Sequence, residues 1–236
     1  MRIIAVVGTK NTGKTTLVTR IVKELVERGF KVGTVKHTHH QFDHPERDTG
    51  KHKTAGAEIV AGIGSETFLT LNNTMDLENV LVMMKFMKDL DFVVIEGLKE
   101  SRYAKISTSE FNDEFTIANV NVFEMDDSKL ISIVDLILER SFGMINDLNC
   151  KKCGYDCCDE FIHAKIAGKP DAIQCKAESD QVILKINNHM IPLNPFVRTF
   201  INETVFGMVK SLKTNEFGAK NFDKIELLIR DDHDKN

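Results

Sequence analysis

A glycine-rich motif near the N-terminus restricts the fold of this 236-residue chain more than any other feature. Residues 8–15 read Gly-Thr-Lys-Asn-Thr-Gly-Lys-Thr, which matches the phosphate-binding spacing G-x-x-x-x-G-K-[ST]. An apolar, β-branched run precedes the motif at residues 2–7, and an apolar stripe with helical spacing follows it from Thr15 to Arg28. The pattern predicts a buried strand, a phosphate-binding loop and a helix, with the N–H groups of the loop facing the phosphates.

The residue types around this loop predict individual roles in nucleotide binding. The Lys14 ammonium reaches the outer phosphates, and the Thr15 hydroxyl can ligate Mg²⁺. Lys14 and Glu96 are candidate catalytic residues. The candidate nucleotide contacts are Gly8, Asn11, Thr12, Gly13, Lys14, Thr15, Thr16, Lys36 and His37.

Strand and helix patterns alternate over the first 145 residues. Further strands are predicted at residues 31–36, 59–63, 67–71, 92–95, 104–107 and 120–123, and further helices at residues 76–89 and 126–140, with a short helical stretch ending near Glu58. This order predicts an α/β fold, a P-loop NTPase whose mainly parallel sheet is covered by helices. Glu96 follows a buried strand at the carboxyl edge of that sheet, where ligands bind, so its carboxylate is a candidate for Mg²⁺.

A histidine-rich segment follows the second predicted strand. Five of the eight histidines lie between His37 and His52, together with Asp48 and several lysines. Histidines beside an aspartate can bind zinc or nickel, whereas the same residues near a nucleotide can contact an anionic ligand. A solvated loop without a ligand is the third interpretation.

All five cysteines lie in one short stretch, as Cys150, Cys153, Cys157, Cys158 and Cys175. In a reducing compartment such a cluster favours metal or redox chemistry over structural disulfides. Four of them follow the spacing Cys-x2-Cys-x4-Cys-x16-Cys, with Cys157 left over or replacing Cys158. The spacing leaves a [4Fe-4S] cluster, a zinc site and a dithiol open, although zinc ribbons normally draw on two Cys-x2-Cys pairs and this chain has one.

Three domains are predicted: a P-loop domain at residues 1–145, a small cysteine-ligated metal module at residues 146–178 and a small α+β lobe at residues 179–236. Within the lobe, the pattern predicts a hairpin around Asn187-Asn188, a helix from Pro195 to about Lys213 and a strand at Ile225–Ile229. The net charge of −4 gives no basic field for nucleic acid, and no apolar run approaches the roughly 18 residues of a membrane span. A cytoplasmic location is expected.

Several segments together resemble the molybdopterin-guanine dinucleotide biosynthesis protein B (MobB) family. They are the P-loop of residues 8–15, the run Lys-His-Thr-His-His-Gln-Phe-Asp of residues 36–43, the segment of residues 48–57 and Val-Ile-Glu-Gly-Leu-Lys of residues 94–99. The resemblance covers roughly residues 1–140. Glu46-Arg47 stands where the family has Gly-Lys, and the Asn-Lys-x-Asp string that recognises guanine does not occur in the sequence.

The resemblance implies a GTP-binding accessory protein with weak hydrolysis, acting mainly as an adaptor. The first implied partner is the guanylyltransferase that joins GMP to molybdopterin or to its tungsten counterpart. The others are molybdopterin or a molybdoenzyme precursor, and a second copy of the chain in a homodimer. Broader relatives imply that Thr15, Asp48 and Glu96 surround Mg²⁺, which adds Asp48 to Lys14 and Glu96 as a candidate catalytic residue. The cysteine stretch resembles small [4Fe-4S] domains, which implies Cys150, Cys153, Cys158 and Cys175 as ligands.

Two other functional classes fit a P-loop domain joined to clustered cysteines. One is a metallochaperone or redox-sensing adaptor, in which nucleotide turnover controls metal carried on the histidine-rich segment and the cysteines. The other is a phosphotransferase that acts on a small metabolite.

Overall fold

A computed structural model describes residues 1–38, 42, 44, 46–178, 182–187, 189–219 and 221–229 of the chain. The chain divides into two compact units, Met1–Glu178 and Ser179–Asn236. Among the described helices, none combines the length and the apolar character that crossing a lipid bilayer requires.

A five-stranded parallel sheet forms the centre of the first unit. Its strands are β1 (Arg2–Val7), β2 (Val32–Lys36), β5 (Phe92–Glu96), β6 (Ala104–Ser107) and β7 (Thr116–Asn119), in the order β2-β5-β1-β6-β7. All neighbouring pairs are parallel. Ile3–Val7 of β1 are completely buried, as expected for a central strand with neighbours on both sides. The predicted α/β fold with a mainly parallel sheet is confirmed.

Helices connect and cover these strands. They are α1 (Lys14–Glu27), α2 (Asp48–Thr54), α3 (Leu77–Met87) and α4 (Asp127–Arg140). Helices α1 and α4 contact each other, and each buries one apolar stripe, which in α1 contains Leu17, Ile21 and Leu25. The side chains of Asp76 and Asp126 cap α3 and α4 by accepting a backbone N–H three residues ahead.

The strands β3 (Ile59–Ile63) and β4 (Thr67–Leu71) lie outside the central sheet. They form a separate antiparallel pair with the register Ile59↔Leu71 to Ile63↔Thr67. Three residues connect them, which is enough for a hairpin but too few for the crossover that parallel strands need. Large apolar side chains of this hairpin are exposed, namely Ile59, Ile63, Phe68 and Leu69.

The strand predicted at residues 120–123 is wrong in position. Strand β7 ends at Asn119, and Val122–Glu124 form a 3-10 helix instead. The Asn121 side chain accepts a hydrogen bond from the Phe123 N–H at 3.2 Å, and such a local bond competes with strand pairing.

The cysteine stretch belongs to the same compact unit as the sheet. Its helix α5 (Cys158–Ile166) contacts α4 and buries Phe161 and Ile162. Between α4 and the cysteines, the carbonyl of Phe142 accepts the Ile3 N–H at 2.9 Å, which joins this part of the chain to the start of β1. Residues 146–178 therefore belong to the same compact unit as the parallel sheet.

The second unit contains less regular structure than its sequence predicts. Two-residue strands β8 (Lys185–Ile186) and β9 (His189–Met190) form the hairpin, whose predicted turn residue Asn188 lies outside the described residues. Helix α6 (Pro195–Lys210) follows, capped by Asn194. The strand predicted at Ile225–Ile229 is not formed: no pairing partner lies beside it in the described part of the chain, and Leu227, Leu228 and Ile229 are exposed.

Candidate nucleotide-binding site

The glycine-rich loop leads from the end of β1 into the N-terminus of α1. Gly13 lies at the cap of α1 in the left-handed region, with φ 83°, and a Cβ there would lie 2.9 Å from the Val122 Cβ. Only glycine suits this position. Across the described residues 1–38, α1 has neither a side-chain cap nor an acidic residue in its first turn. Its first N–H groups and the positive end of its dipole are therefore available to an anion.

The Lys14 ammonium lies at the mouth of this loop. It donates a hydrogen bond to the Thr9 carbonyl, five residues earlier in the chain. Lys14 is therefore folded over the loop whose backbone would surround the phosphates, as the motif predicts.

Glu96 lies at the end of β5 beside Thr15 and Lys36, two of the predicted nucleotide contacts. Its Oε1 accepts a hydrogen bond from the Thr15 hydroxyl at 2.9 Å and lies 3.1 Å from the Lys36 ammonium. The Glu96 side chain is only 12% exposed. Parallel pairing explains the meeting, because Glu96 is in register with Val6 of β1 and with Lys36 of β2. A carboxylate and a hydroxyl oxygen are ligands that Mg²⁺ prefers, so this pair fits the predicted Mg²⁺ site.

His37 lies at the same edge of the sheet. Its N–H donates to the Glu96 carbonyl at 3.0 Å, and the Gly97 N–H donates to the Val6 carbonyl at 2.9 Å. Gly97 has φ 100°, and a Cβ there would lie 3.3 Å from the His37 Cβ. The chain can therefore turn tightly after Glu96 only with glycine at this point.

Asp48 lies apart from the other two residues implied for Mg²⁺. It begins α2, its carboxylate lies 3.5 Å from the Lys51 ammonium, and its side chain is 93% exposed. The structure thus brings Thr15 and Glu96 together but leaves Asp48 facing solvent. His39 and His40, on which the zinc or nickel interpretation partly depends, lie outside the described residues.

Thr108 is a residue of this site that the sequence analysis missed. It directly follows β6, and its hydroxyl oxygen lies 2.6 Å from that of Thr12 in the loop. The available signal was positional, because the residue after a parallel strand lies at the ligand-binding edge of the sheet.

The cysteines are arranged around the start of α5. The Cys158 N–H donates to the Asn149 side chain at 2.8 Å, and the Asn149 N–H points back to the Cys158 sulfur at 3.4 Å. The Cys157 sulfur instead accepts the Glu160 N–H at 3.5 Å and caps the helix. Cys157 and Cys158 therefore have different surroundings, although they are neighbours in sequence.

Burial raises the pKa of the Cys158 and Cys175 thiols above the ordinary value. The Cys153 side chain adds electrostatically to this increase of the pKa at both residues. At Cys175, the N–H groups of Ala177 and Glu178 act in the opposite direction. Over the residues that the structure describes, no three histidine, cysteine or acidic side chains are close enough together to hold a metal ion.

Comparisons with known proteins place this geometry in context. A family model described as "MobB: Molybdopterin guanine dinucleotide synthesis protein B" matches residues 3–135. A protein of Methanocaldococcus jannaschii, named as a molybdopterin-guanine dinucleotide biosynthesis adapter protein, is 28% identical over 222 residues, covering 90% of this chain and 92% of that protein. A Bacillus subtilis protein named for the same adapter role is 34% identical over 127 residues, covering 51% of this chain and 72% of that protein.

Solved structures are also similar to the chain. The crystal structure of Bacillus subtilis MobB has 26% sequence identity and a TM-score of 0.46, and the match covers 61% of this chain and 100% of that one.

Proposed function

Because the chain belongs to the molybdopterin guanine dinucleotide synthesis protein B family, we propose that it is a GTP-binding adapter that assists the attachment of GMP to molybdopterin. The relatives' names support the coarser statement, a role in molybdenum cofactor biosynthesis. The observation that carries the nucleotide-binding part is the meeting of Thr15 and Glu96 beside the helix-capping glycine loop. GTP, rather than ATP, is proposed from the family membership.

The chain's own groups account for how a nucleotide would be held. Backbone N–H groups of residues 8–15 and the start of α1 receive the phosphates, and the Lys14 ammonium adds a positive charge. Thr15 and Glu96 would hold Mg²⁺, which supplies charge neutralisation between the outer phosphates. The Lys36 ammonium orients the nearly buried Glu96 carboxylate by pairing with it at 3.1 Å.

Hydrolysis by the isolated protein is expected to be slow. The groups that meet at this edge of the sheet bind charge, but the proposed set of residues contains neither an arginine for the transition state nor a glutamine to orient water. We expect turnover well below the roughly 1 to 100 per second of efficient phosphoryl-transfer enzymes. The guanylyltransferase is the proposed partner that uses the bound nucleotide.

Adapter function requires surfaces for other proteins. The β3–β4 hairpin exposes Ile59, Ile63, Phe68 and Leu69 away from the central sheet. Neighbouring exposed apolar side chains of this kind are typical of protein interaction sites. They support the proposed contact with a second copy of the chain.

A second proposal concerns the cysteines: Cys150, Cys153, Cys158 and Cys175 bind a [4Fe-4S] cluster, with zinc as the alternative metal. The donor chemistry fits, because four thiolates suit either metal. Backbone N–H groups already point at the sulfurs of Cys158 and Cys175, which is favourable for thiolate ligands. The described thiols do not form a metal-binding group in this structure, so metal binding requires the cysteines to move closer together.

Calorimetric titration with GTP and ATP, each with Mg²⁺, tests the nucleotide proposal. Tight GTP binding with weaker ATP binding is expected, and binding of neither would contradict it. Capture of the guanylyltransferase only in the presence of GTP would support the adapter role. Stoichiometric loading of nickel or zinc on the histidine-rich segment would instead favour the metallochaperone interpretation.

Iron, sulfide and zinc analysis of protein purified without oxygen tests the cysteine proposal. About four irons and four sulfides per chain are expected from a cubic cluster. A colourless protein with one tightly held zinc per chain would contradict the cluster and indicate a zinc site. The Cys157→Ser variant should keep its iron and Cys158→Ser should lose it, and the opposite result would move the third ligand by one residue.

A further inference from the structure

Thr108 contacts the phosphate-binding loop from the neighbouring strand. Its side chain is almost completely buried, and its hydroxyl lies 2.6 Å from the Thr12 hydroxyl and 3.2 Å from the Val7 carbonyl. It also packs against Gly8, where an added Cβ would collide with the Thr108 hydroxyl oxygen. Thr108 thus contacts both the first glycine of the loop and the residue before the second.

Counting protons shows that these hydroxyls cannot make all their bonds at once. Thr12 lies 3.0 Å from the Thr9 carbonyl, so the two hydroxyls have three contacts between them: Thr12 with Thr9, Thr12 with Thr108, and Thr108 with Val7. Each hydroxyl has one proton to donate. Two protons cannot serve three contacts, and the short distance between the two oxygens requires a proton on that contact.

Two arrangements of hydrogen bonds remain. In the first, Thr12 donates to Thr108, which donates to the Val7 carbonyl. In the second, Thr108 donates to Thr12, which donates to the Thr9 carbonyl. The Val7 carbonyl keeps a partner in both arrangements, because it also accepts the Thr108 N–H at 2.8 Å.

While Lys14 donates to the Thr9 carbonyl, both arrangements leave every one of these carbonyls with a donor. In this structure the Lys14 ammonium donates to the Thr9 carbonyl, which therefore does not need Thr12. If Lys14 turns to the phosphates of a nucleotide, the Thr9 carbonyl loses that donor. The second arrangement then replaces it, with Thr12 donating to Thr9 and Thr108 donating to Thr12.

We propose that Thr108 is a positioning residue of the nucleotide site, whose buried hydroxyl holds Thr12 and with it the phosphate-binding loop. This inference rests on the proposed nucleotide binding. The second arrangement keeps the loop backbone satisfied whether or not Lys14 contacts the Thr9 carbonyl, so that Lys14 can move to the phosphates without distorting the loop. Thr108 touches the loop and not the nucleotide, so its effect passes through Thr12.

The test compares the affinity of Mg²⁺-GTP for the full chain with that for three variants, by calorimetry. Thr108→Ser keeps the hydroxyl and should bind like the parent, whereas Thr108→Ala removes it and should bind about three to ten times more weakly, because a loop that has lost this hydrogen bond must be ordered when the nucleotide binds. Thr12→Ala should bind more weakly as well. The double variant should be no weaker than the weaker single variant, because both changes remove the same bond.

Each result separates this inference from the proposed function. A parent that binds no nucleotide overturns both. A parent that binds, with Thr108→Ala equal to it or with Thr108→Ser as weak as Thr108→Ala, overturns the role of Thr108 alone, and so do strictly additive losses in the double variant. Thermal unfolding of the nucleotide-free variants shows whether Thr108→Ala still folds; a loss of affinity that Thr108→Ser restores is not explained by folding.

Discussion

The Thr15 hydroxyl and the Glu96 carboxylate lie 2.9 Å apart, although 81 positions separate the two residues in the sequence. The contact follows from the sheet, because β1 and β5 are parallel neighbours and both end at the same edge. The loop after β1 delivers Thr15 to that edge, and β5 delivers Glu96. The site proposed for a nucleotide and its metal ion is thereby built from two strand ends that the sheet holds fixed.

Replacing Lys14 with alanine should abolish tight GTP binding and leave the fold intact. The ammonium is exposed and supplies charge to the phosphates, not packing to the core. Calorimetry measures the affinity, and circular dichroism checks the fold. Lys23→Ala is the matched control, because Lys23 is also exposed on α1 but points to Glu27. An unchanged affinity in Lys14→Ala would rule out the assigned phosphate site.

Glu96→Gln should raise the Mg²⁺ concentration needed for nucleotide binding more than it lowers the affinity at saturating Mg²⁺. The amide keeps the size of the side chain but loses the charge that favours the ion. Asp48→Asn, the second residue implied for Mg²⁺, should shift the same titration only if Asp48 moves from its exposed position toward the nucleotide. Identical Mg²⁺ curves for parent and Glu96→Gln would remove Glu96 from the metal site.

Lys105→Met should destabilise the first unit. Lys105 is 1% exposed and pairs with Asp113, whose carboxylate would lose its cation. Breaking a buried pair costs about 3 to 5 kcal/mol, and we expect less here because Asp113 is partly exposed. Urea unfolding followed by circular dichroism measures the change. Lys23→Met, which breaks an exposed pair, should change the free energy of unfolding by less than about 1 kcal/mol.

Alkylation of Cys158 and Cys175 in the metal-free protein should accelerate at a higher pH than alkylation of the same residues in urea. Burial raises the pKa of both thiols in the folded chain, and only the thiolate reacts. Mass spectrometry of the labelled peptides gives the pH profile of each residue. Coinciding profiles in folded and unfolded protein would contradict the raised pKa.

The same pKa difference sets the direction of a stability change. Because the folded chain holds these protons more tightly, it binds more protons than the unfolded chain between the ordinary thiol pKa of about 8.5 and the raised value. The free energy of unfolding of metal-free protein should therefore fall as the pH rises through that window. Substituting both cysteines with alanine should flatten this decline.

Local sequence patterns predicted most of the first unit correctly. Strand β6 and the hairpin strands matched their predicted bounds, and the two hairpin strands are short, largely apolar runs separated by a turn. Local patterns do not predict which sheet a strand joins. The sequence of Ile59–Ile63 does not reveal that it pairs with Thr67–Leu71 alone, because pairing depends on partners elsewhere in the chain.

The residues of the candidate site could be predicted where a sequence motif contains them. Residues that only the tertiary structure brings to the site were harder to predict. The pattern of residues 8–15 identified Lys14 and Thr15 directly. Glu96 was found from its place at the end of a buried strand, whereas Thr108 occupies the same kind of place after a weaker strand and was missed. The exposed position of Asp48 could not be inferred, because it depends on the course of the preceding histidine-rich segment.

The shared core of the sheet and the cysteine helix makes the two parts of the first unit thermodynamically dependent. Cutting the chain after residue 145 would expose the side of α4 that α5 contacts and remove the buried Phe161. Any ion that binds the cysteines only in the folded state therefore adds its binding free energy to the stability of the whole unit, the parallel sheet included. Thermal unfolding of the parallel sheet would then depend on whether an ion is bound at the cysteines, even though none of the cysteines lies in a strand of that sheet.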